Sequence, residues 1–235
     1  MPAQVIPSAP GYSATQYAVI GSYLNKHGSR FIRHVALLRN GGFIHNGMDG
    51  VEVWHVGPPL VAGVNSQNQT GQNPVCKPDV VGWLALEAQE RESMADWLAE
   101  VDKEQRPLGN LTLWQQYTVS LDPTHEWHRD EQGRPLYRRF SCASFVLKVY
   151  EEGLGRPLIS ISDPIQLPEV ELNTVAHAYG DMVQREPMRR RINLEGAPPW
   201  RIVLAGYVLH ALNRLDTEIR TRSHSVTGVK EAEFP

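Results

Sequence analysis

The sequence is poor in cysteine, in unbalanced charge and in long hydrophobic runs, and each shortage excludes a class of protein. Its 235 residues include only two cysteines, Cys76 and Cys142, which cannot form a framework of disulfide bridges. The formal net charge is −3, with 23 Lys and Arg residues against 26 Asp and Glu residues, so there is no basic excess for binding a nucleic acid. No apolar run approaches the length of a membrane span. We therefore expect neither a nucleic-acid partner nor a membrane span.

The first residues lack the charged and apolar segments of a secretory signal. Residues 1–16, MPAQVIPSAPGYSATQ, contain no Lys or Arg ahead of an apolar stretch. We expect a soluble protein that is made in the cytoplasm, and export by a route that reads no N-terminal signal stays open. Protein partners and oligomeric state cannot be inferred from the sequence.

Hydrophobic periodicity and turn residues predict one mixed α+β domain. In chain order, the predicted elements are a helix over 13–28, strands over 30–39, 43–46 and 51–56, an irregular loop over 58–80, a helix over 82–105, a strand over 111–121, a polar loop over 122–135, and helices over 142–153 and 198–222. The first three strands form a hairpin or meander over 30–57. We expect a single domain over 1–235, with a core over about 14–160 and a helical C-terminal extension over about 161–235 whose last residues fray.

A cysteine stands where a polar segment gives way to a helical apolar run in RRFSCASFVLKVYEEGLG, residues 138–155. Cys142, Val146, Val149 and Tyr150 share one face of the predicted helix, because their spacing follows its turns. A thiol in the first turn feels the positive end of the helix dipole, which lowers its pKa and favours the thiolate. The position fits a nucleophile, and it also fits a buried structural cysteine.

Two histidines on neighbouring predicted strands could complete a catalytic set with the cysteine. In the strand FIRHVALLR, the alternation of side chains places Ile32, His34, Ala36 and Leu38 on one face, so His34 stands in an apolar row. His45 lies one hairpin turn away in GGFIHNG, where it can fix the tautomer and orientation of the first imidazole. A buried core histidine is the alternative interpretation of the first imidazole. Together the three side chains supply a nucleophile, a base and an orienting group.

Both segments resemble a known family of enzymes. RHVALLRNGGFIHNG is similar to the strand–turn–strand segment of the NlpC/P60 cysteine peptidases, and FSCASFVLKVYEEGLG is similar to their cysteine helix. In ordinary members the cysteine comes first, whereas here His34 precedes Cys142 by 108 residues (142 − 34). That order resembles the circularly permuted papain-like branch, which includes the YiiX-like and lecithin:retinol acyltransferase-like proteins. The resemblance covers 30–57 and 138–155, and Ala143 stands where these proteins usually have serine.

The resemblance implies a papain-like antiparallel sheet packed against the cysteine helix, and a hydrolase that needs no cofactor. Cys142 would attack a carbonyl with His34 as its base and His45 as the orienting residue, and the acyl-enzyme would pass its acyl group to water or to another acceptor. The implied substrate is an amide in a peptide, and peptidoglycan peptides are one candidate. An acyltransferase, a hydrolase of lipid esters or thioesters, and a non-catalytic binding domain with a structural thiol remain alternatives.

Other polar residues are weaker candidates for the site. Glu52 and His55, on the strand after the second histidine, are alternative orienting residues. His125 and His128 in THEWHRDE are three residues apart, but the flanking proline and glycine favour a loop, so we expect no metal site. Cys76 lies in a polar segment without an obvious base, and we expect it to be non-catalytic.

Overall fold

The structure, a computed structural model, describes residues 4–6, 17–24, 29–39, 52–56, 61–65, 79–105, 113–161 and 166–234. It is an α+β structure of mainly antiparallel sheets and helices, which confirms the predicted class. The strands are β1 (Gln4–Ile6), β2 (Tyr17–Tyr23), β3 (Ile32–Arg39), β4 (Glu52–His55), β5 (Val61–Asn65), β6 (Val80–Trp83), β7 (Trp127–Arg129), β8 (Pro135–Arg138), β9 (Glu169–Val170) and β10 (Trp200–Arg201). The α-helices are α1 (Ala88–Gln105), α2 (Leu113–Gln116), α3 (Cys142–Leu154), α4 (Leu172–Tyr179), α5 (Glu186–Arg191), α6 (Ala205–Leu212) and α7 (Asp216–Thr221).

A sheet in the order β1-β6-β2-β3-β4-β5 forms the centre of the described structure. Its neighbouring strands run antiparallel, except that β1 is parallel to β6. Strands β3 and β4 are direct antiparallel neighbours, with Leu37 opposite Trp54 and Arg39 opposite Glu52, so two of the three strands predicted over 30–57 are confirmed. The predicted strand over 43–46, which contains His45, lies outside the described residues.

Helices α3 and α6 pack on this sheet, and they fix the surroundings of the cysteine. Side chains of β2 and β3 join those of both helices in one hydrophobic core. A Cβ atom at Gly21 of β2 would stand 2.5 Å from Leu209 of α6, so glycine permits this close approach. Because α6 belongs to the predicted C-terminal extension, that segment contributes directly to the core around the sheet.

The predicted helix over 13–28 is wrong, because residues 17–23 form strand β2. This strand pairs with β3 on one side and β6 on the other, and Ala18, Val19 and Ile20 are all buried. A strand that is covered on both faces reads as a continuous apolar run, and such a run is not distinguishable from a buried helix by periodicity. The pairing partners, which lie elsewhere in the chain, decide the outcome.

Five further predicted segments differ from the observed elements. Strand β5 occupies part of the predicted loop over 58–80, and β6 takes the start of the helix predicted over 82–105. The predicted strand over 111–121 begins as the single helical turn α2, and the predicted polar loop over 122–135 contains β7 and the start of β8, which pair as a hairpin. The helix predicted over 198–222 is divided into β10, α6 and α7. The short elements α4 and α5 were not predicted.

The C-terminal residues are also ordered by contacts that the sequence did not predict. Phe234 is 1% exposed, and its backbone N–H donates to the carbonyl of Arg30 at 2.9 Å. Glu233 forms a β-bridge with Phe31 at the start of β3. The expectation that the last ten residues fray is therefore wrong, because a buried aromatic side chain anchors them to the sheet. Within the described ranges, no helix is long and apolar enough to cross a bilayer.

An ion cluster around Glu90 ties α1 to two later parts of the chain. The carboxylate accepts hydrogen bonds from Arg156, which follows α3, and from Arg220 of α7, the latter at 2.8 Å. Arg220 also pairs with Asp216 at 2.8 Å. Burial by itself would raise the pKa of Glu90, but hydrogen bonds from Arg220, from the Glu87 amide and from Arg156 lower it to about 2.

This depressed pKa predicts that the cluster stabilises the protein above about pH 4.5 and that the stabilisation is lost as the pH falls toward 2. The sign follows because the unfolded chain binds this proton at a higher pH than the folded chain. Glu90→Gln should lower the free energy of unfolding at pH 7 and reduce its loss between pH 4.5 and 2. Urea unfolding measured across this range checks the expectation, with Glu92→Gln, an exposed change on the same helix, as the control. Equal pH dependence in the two variants would contradict it.

Candidate active site

Helix α3 begins at Cys142, and its start is fixed by a capping box. The Ser141 hydroxyl accepts the backbone N–H of Ser144 at 3.0 Å, and the Ser144 hydroxyl accepts the backbone N–H of Ser141 at 2.7 Å. The helix ends at Gly155 in the left-handed conformation, with φ 66°. This reciprocal cap satisfies N–H groups that a helix otherwise leaves open, so the thiol holds a fixed place at the first helical residue.

The Cys142 thiol is buried in the core and surrounded by hydrogen-bond donors. The residue is 4% exposed, and its sulfur forms no disulfide. Burial raises the pKa of the thiol, while the backbone N–H of Val35, the backbone N–H of Ala143 and the Tyr117 hydroxyl act in the opposite direction. The predicted lowering of this pKa is therefore wrong. The loss of hydration outweighs the helix terminus and its donors, so the thiol keeps its proton at neutral pH.

The hydrogen bond from Val35 places the sulfur beside the strand that carries His34. The Val35 N–H donates to the sulfur and therefore does not donate to β2. The thiol thus lies along the edge of β3 that faces away from β2. His34 and Val35 are consecutive, with Cα atoms about 3.8 Å apart. The structure thus brings Cys142 and the backbone of His34 together, although 107 residues separate the cysteine from Val35 (142 − 35).

A β-bulge changes which residues share a face with His34. His34 lies opposite Ser22, whereas Ile32 lies opposite Tyr23, so one extra residue stands in β3 between these pairs. Ile32 therefore lies on the same face of the sheet as Gly21, and a Cβ atom added at Gly21 would stand 3.5 Å from the Ile32 side chain. The prediction that these residues share one face is correct for His34, Ala36 and Leu38. It is wrong for Ile32, which lies on the opposite face. His34 is half-buried, and its side chain leaves the strand on the face opposite to that of Val35.

The structure distinguishes the two alternative orienting residues by their register on β4. Glu52 lies opposite Arg39, five residues along β3 from His34. His55 directly follows Trp54, the partner of Leu37, and so lies toward the His34 end of the strand pair. The register favours His55 over Glu52 as a neighbour of the histidine. His45 and Cys76 lie outside the described residues.

Two tyrosines that the sequence did not single out complete the surroundings of the thiol. The Tyr117 hydroxyl is hydrogen-bonded to the Cys142 sulfur and to the Cys142 backbone N–H. The Tyr179 hydroxyl is hydrogen-bonded to Tyr117 and to Ser141, and the two rings meet edge to face with centroids 6.0 Å apart. Burial raises the pKa of both tyrosines, so both hydroxyls stay protonated and can donate. No local pattern marks them, because they reach the thiol from 25 residues before it and 37 residues after it (142 − 117, 179 − 142).

His125 and His128 are engaged in contacts of their own. The His125 Nδ1 atom lies 2.8 Å from the Ser120 hydroxyl. The His128 ring stacks on Tyr137, with centroids 4.8 Å apart and an angle of 22°. Across the described residues, no group of three His, Cys, Asp or Glu side chains is arranged to hold a metal ion.

A separate pocket of about 370 Å³ lies beside α3, and it does not include Cys142 among its lining residues. The lining comes from the segment after Tyr117, from Ser144 and Lys148 of α3, and from residues 157–161. Lys148 pairs there with Glu126 at 3.5 Å and with Glu151 at 3.2 Å. Since Cys142, Val146 and Val149 form the buried face of the helix, the pocket stands on its more exposed side.

Comparisons of the chain with protein-family models, with characterised proteins and with solved structures found no match.

Proposed function

We propose that the protein is a cysteine hydrolase with the permuted papain-like arrangement, in which Cys142 is the nucleophile and His34 is its base. The observation that carries the proposal is the hydrogen bond from the backbone N–H of Val35, the residue after His34, to the Cys142 sulfur at the start of a capped helix. It supports a nucleophile at a helix start beside the backbone of a strand histidine, and the resemblance implies that the imidazole of this histidine is the base. Donors around the sulfur favour the negative charge that forms on it when the thiol loses its proton.

The first chemical step is a transfer of the substrate acyl group to the sulfur. Because burial keeps the thiol protonated, His34 removes its proton as the sulfur–carbon bond forms. The same imidazolium then gives that proton to the leaving amine as the carbon–nitrogen bond breaks, which leaves a thioester on Cys142. In the second step, water attacks the thioester with His34 as base. The carbon–sulfur bond breaks, the acid is released and the thiol recovers its proton.

The substrate class follows from the resemblance and not from a described pocket. A peptide amide, with peptidoglycan peptides as one candidate, is the first choice, and lipid esters or thioesters are the alternatives. His45 is the proposed orienting residue, and the register of β4 makes His55 the alternative to test before Glu52. An acceptor other than water would make the same thioester the intermediate of an acyltransferase.

A covalent acyl-enzyme is the prediction that tests this function. With p-nitrophenyl acetate as a small acyl donor, the protein should release a burst of nitrophenol and carry one acetyl group on Cys142, measured by intact mass and peptide mapping. Cys142→Ala should abolish the burst and the adduct, while Cys76→Ser should retain both. An adduct of equal size in Cys142→Ala would overturn the proposal. Peptidoglycan fragments, a lipid ester and an acyl thioester then rank the substrate classes.

A binding domain with a structural thiol is the second candidate, and the burial of Cys142 favours it. At 4% exposure the thiol packs among apolar side chains, and its raised pKa disfavours the reactive thiolate. In this case neither acyl transfer nor rapid alkylation occurs at Cys142. Reaction with iodoacetamide near neutral pH separates the two candidates, because His34 removes the proton of a catalytic Cys142, which is then alkylated much faster than Cys76.

A further inference from the structure

We propose that Tyr117 is a further catalytic residue, whose hydroxyl donates a hydrogen bond to the Cys142 sulfur and stabilises the negative charge that forms there when His34 removes the thiol proton. The inference rests on the proposed cysteine hydrolase function. Tyr179 acts through Tyr117 and is a positioning residue. Neither tyrosine belongs to the segments in which the nucleophile and the base were found.

The backbone around Tyr117 is held against the residues that precede Cys142. Phe140 donates its N–H to the Gln116 carbonyl at 3.0 Å, and the N–H of Thr118 points to the Phe140 carbonyl at 3.4 Å. The Arg139 guanidinium donates to the Tyr117 carbonyl at 2.9 Å. These bonds fix the Tyr117 backbone to the chain just before the cysteine helix, so the ring has little freedom to leave the thiol.

The Tyr117 side chain is as constrained as its backbone. The residue is 6% exposed, and its ring meets that of Tyr179 at 74°. The Tyr179 hydroxyl connects Tyr117 to Ser141, the cap of α3. Tyr179 thus links Tyr117, which donates to the sulfur, to Ser141, which caps α3. Replacing Tyr179 should loosen Tyr117 without removing the group that touches the sulfur.

The chemistry of the contact favours a role in the reaction over a role in packing alone. A buried hydroxyl incurs a desolvation cost that a phenyl ring of the same shape avoids, so the core gains nothing from the oxygen unless it is well bonded. A neutral thiol is a weak acceptor, whereas a thiolate is a charged one, and hydrogen bonds to charged acceptors are about twice as strong. The bond from Tyr117 therefore strengthens as His34 removes the proton, which stabilises the attacking state more than the resting state.

The groups that act on the thiol come from β3, from the start of α3, from the residue after α2 and from the end of α4. Tyr117 and Tyr179 interact with its charge, and the backbone N–H groups of Val35 and Ala143 point to it. His34 is the titratable residue next to Val35 on β3. Of the groups that donate directly to the sulfur, Tyr117 is the one that a substitution can remove with little change of shape, by Tyr117→Phe.

The experiment measures thiol ionisation and acyl transfer separately, in a Cys76→Ser background that leaves Cys142 as the one thiol. The pH dependence of the iodoacetamide alkylation rate reports the pKa of Cys142, and p-nitrophenyl acetate reports the acylation rate. Tyr117→Phe should raise the pKa of Cys142 and slow acylation about 10- to 100-fold, with little change in KM. Tyr179→Phe should act in the same direction with a smaller effect, and it serves as the second variant if Tyr117→Phe unfolds.

Tyr137→Phe is the matched control. Tyr137 is 3% exposed, and its hydroxyl donates to the Gln115 carbonyl at 3.4 Å and not to the thiol, so its removal should change neither quantity. An unchanged thiol pKa or an unchanged acylation rate in folded Tyr117→Phe would overturn the inference while the hydrolase proposal stands. A parent protein that forms no acyl-enzyme would overturn both, and the alkylation profile would then show only whether the Tyr117 hydrogen bond affects the thiol.

Discussion

Replacing His34 with alanine should slow acylation of Cys142 about 10²- to 10⁴-fold at pH 7, the usual contribution of a general base. The expected effect is large because burial raises the pKa of the thiol, so the resting sulfur is neutral and cannot attack without losing its proton. The burst of nitrophenol from p-nitrophenyl acetate measures the acylation rate. His125→Ala removes an imidazole that is bonded to Ser120, and it should leave the rate near that of the parent.

The deficit of His34→Ala should also depend on pH in one direction. Because the pKa of the thiol is raised, the neutral thiol dominates at every pH below that pKa. The thiolate fraction grows as the pH rises toward the pKa. Above pH 7 the variant should therefore regain rate relative to the parent, because ionisation in solvent replaces the missing base. A deficit that is constant from pH 6 to pH 10 would contradict a base role for His34, and it would favour a structural effect of the substitution.

Replacing Phe234 with alanine should destabilise the protein by about 3–5 kcal/mol, the usual cost of truncating a buried aromatic side chain. Phe234 is 1% exposed, and its ring meets that of His210 with centroids 5.1 Å apart. Its N–H also bonds to the Arg30 carbonyl, so the side chain holds the end of the chain against the approach to β3. The free energy of unfolding in urea measures the effect.

Leu215→Ala provides the control for this truncation. Leu215 is 67% exposed, so the removal of its apolar atoms should change the free energy of unfolding by less than about 0.5 kcal/mol. If Phe234→Ala costs no more than Leu215→Ala, the C-terminal residues do not contribute to the fold. Since β3 also carries His34, a destabilised variant should lose acylation in parallel with the folded fraction and not before it.

The helix that carries the cysteine could be predicted because its signals are local. Ser141 and Ser144 supply the cap, the apolar residues from Val146 onward follow the helical period, and Gly155 ends the helix. The strands β3 and β4 were predictable for a similar reason, since each is rich in β-branched and large apolar residues, whereas their direct pairing was not predicted. In both cases the residues that decide the conformation lie within a few positions of one another.

Strand β2 and the C-terminal residues could not be predicted in this way. The residues around Val19 have an apolar pattern that both a buried helix and a buried strand satisfy, and the pairing with β3 and β6 selects the strand. Phe234 is anchored by Arg30 and Phe31, which lie about 200 residues earlier in the chain. Propensity near the chain end gave no indication of this contact.

The sequence by itself determined that Cys142 lies in the first turn of a helix and that His34 stands on a strand, because hydrophobic period and strand propensity are properties of neighbouring residues. Only the tertiary structure decided what surrounds the thiol. The β3 edge, Tyr117 and Tyr179 come from three distant segments, and their packing removes water from the sulfur. The pKa of the thiol rises for this reason, although its position at the helix start predicted a lower pKa. Desolvation depends on all the groups that cover the thiol, whereas the helix dipole depends on the helix alone.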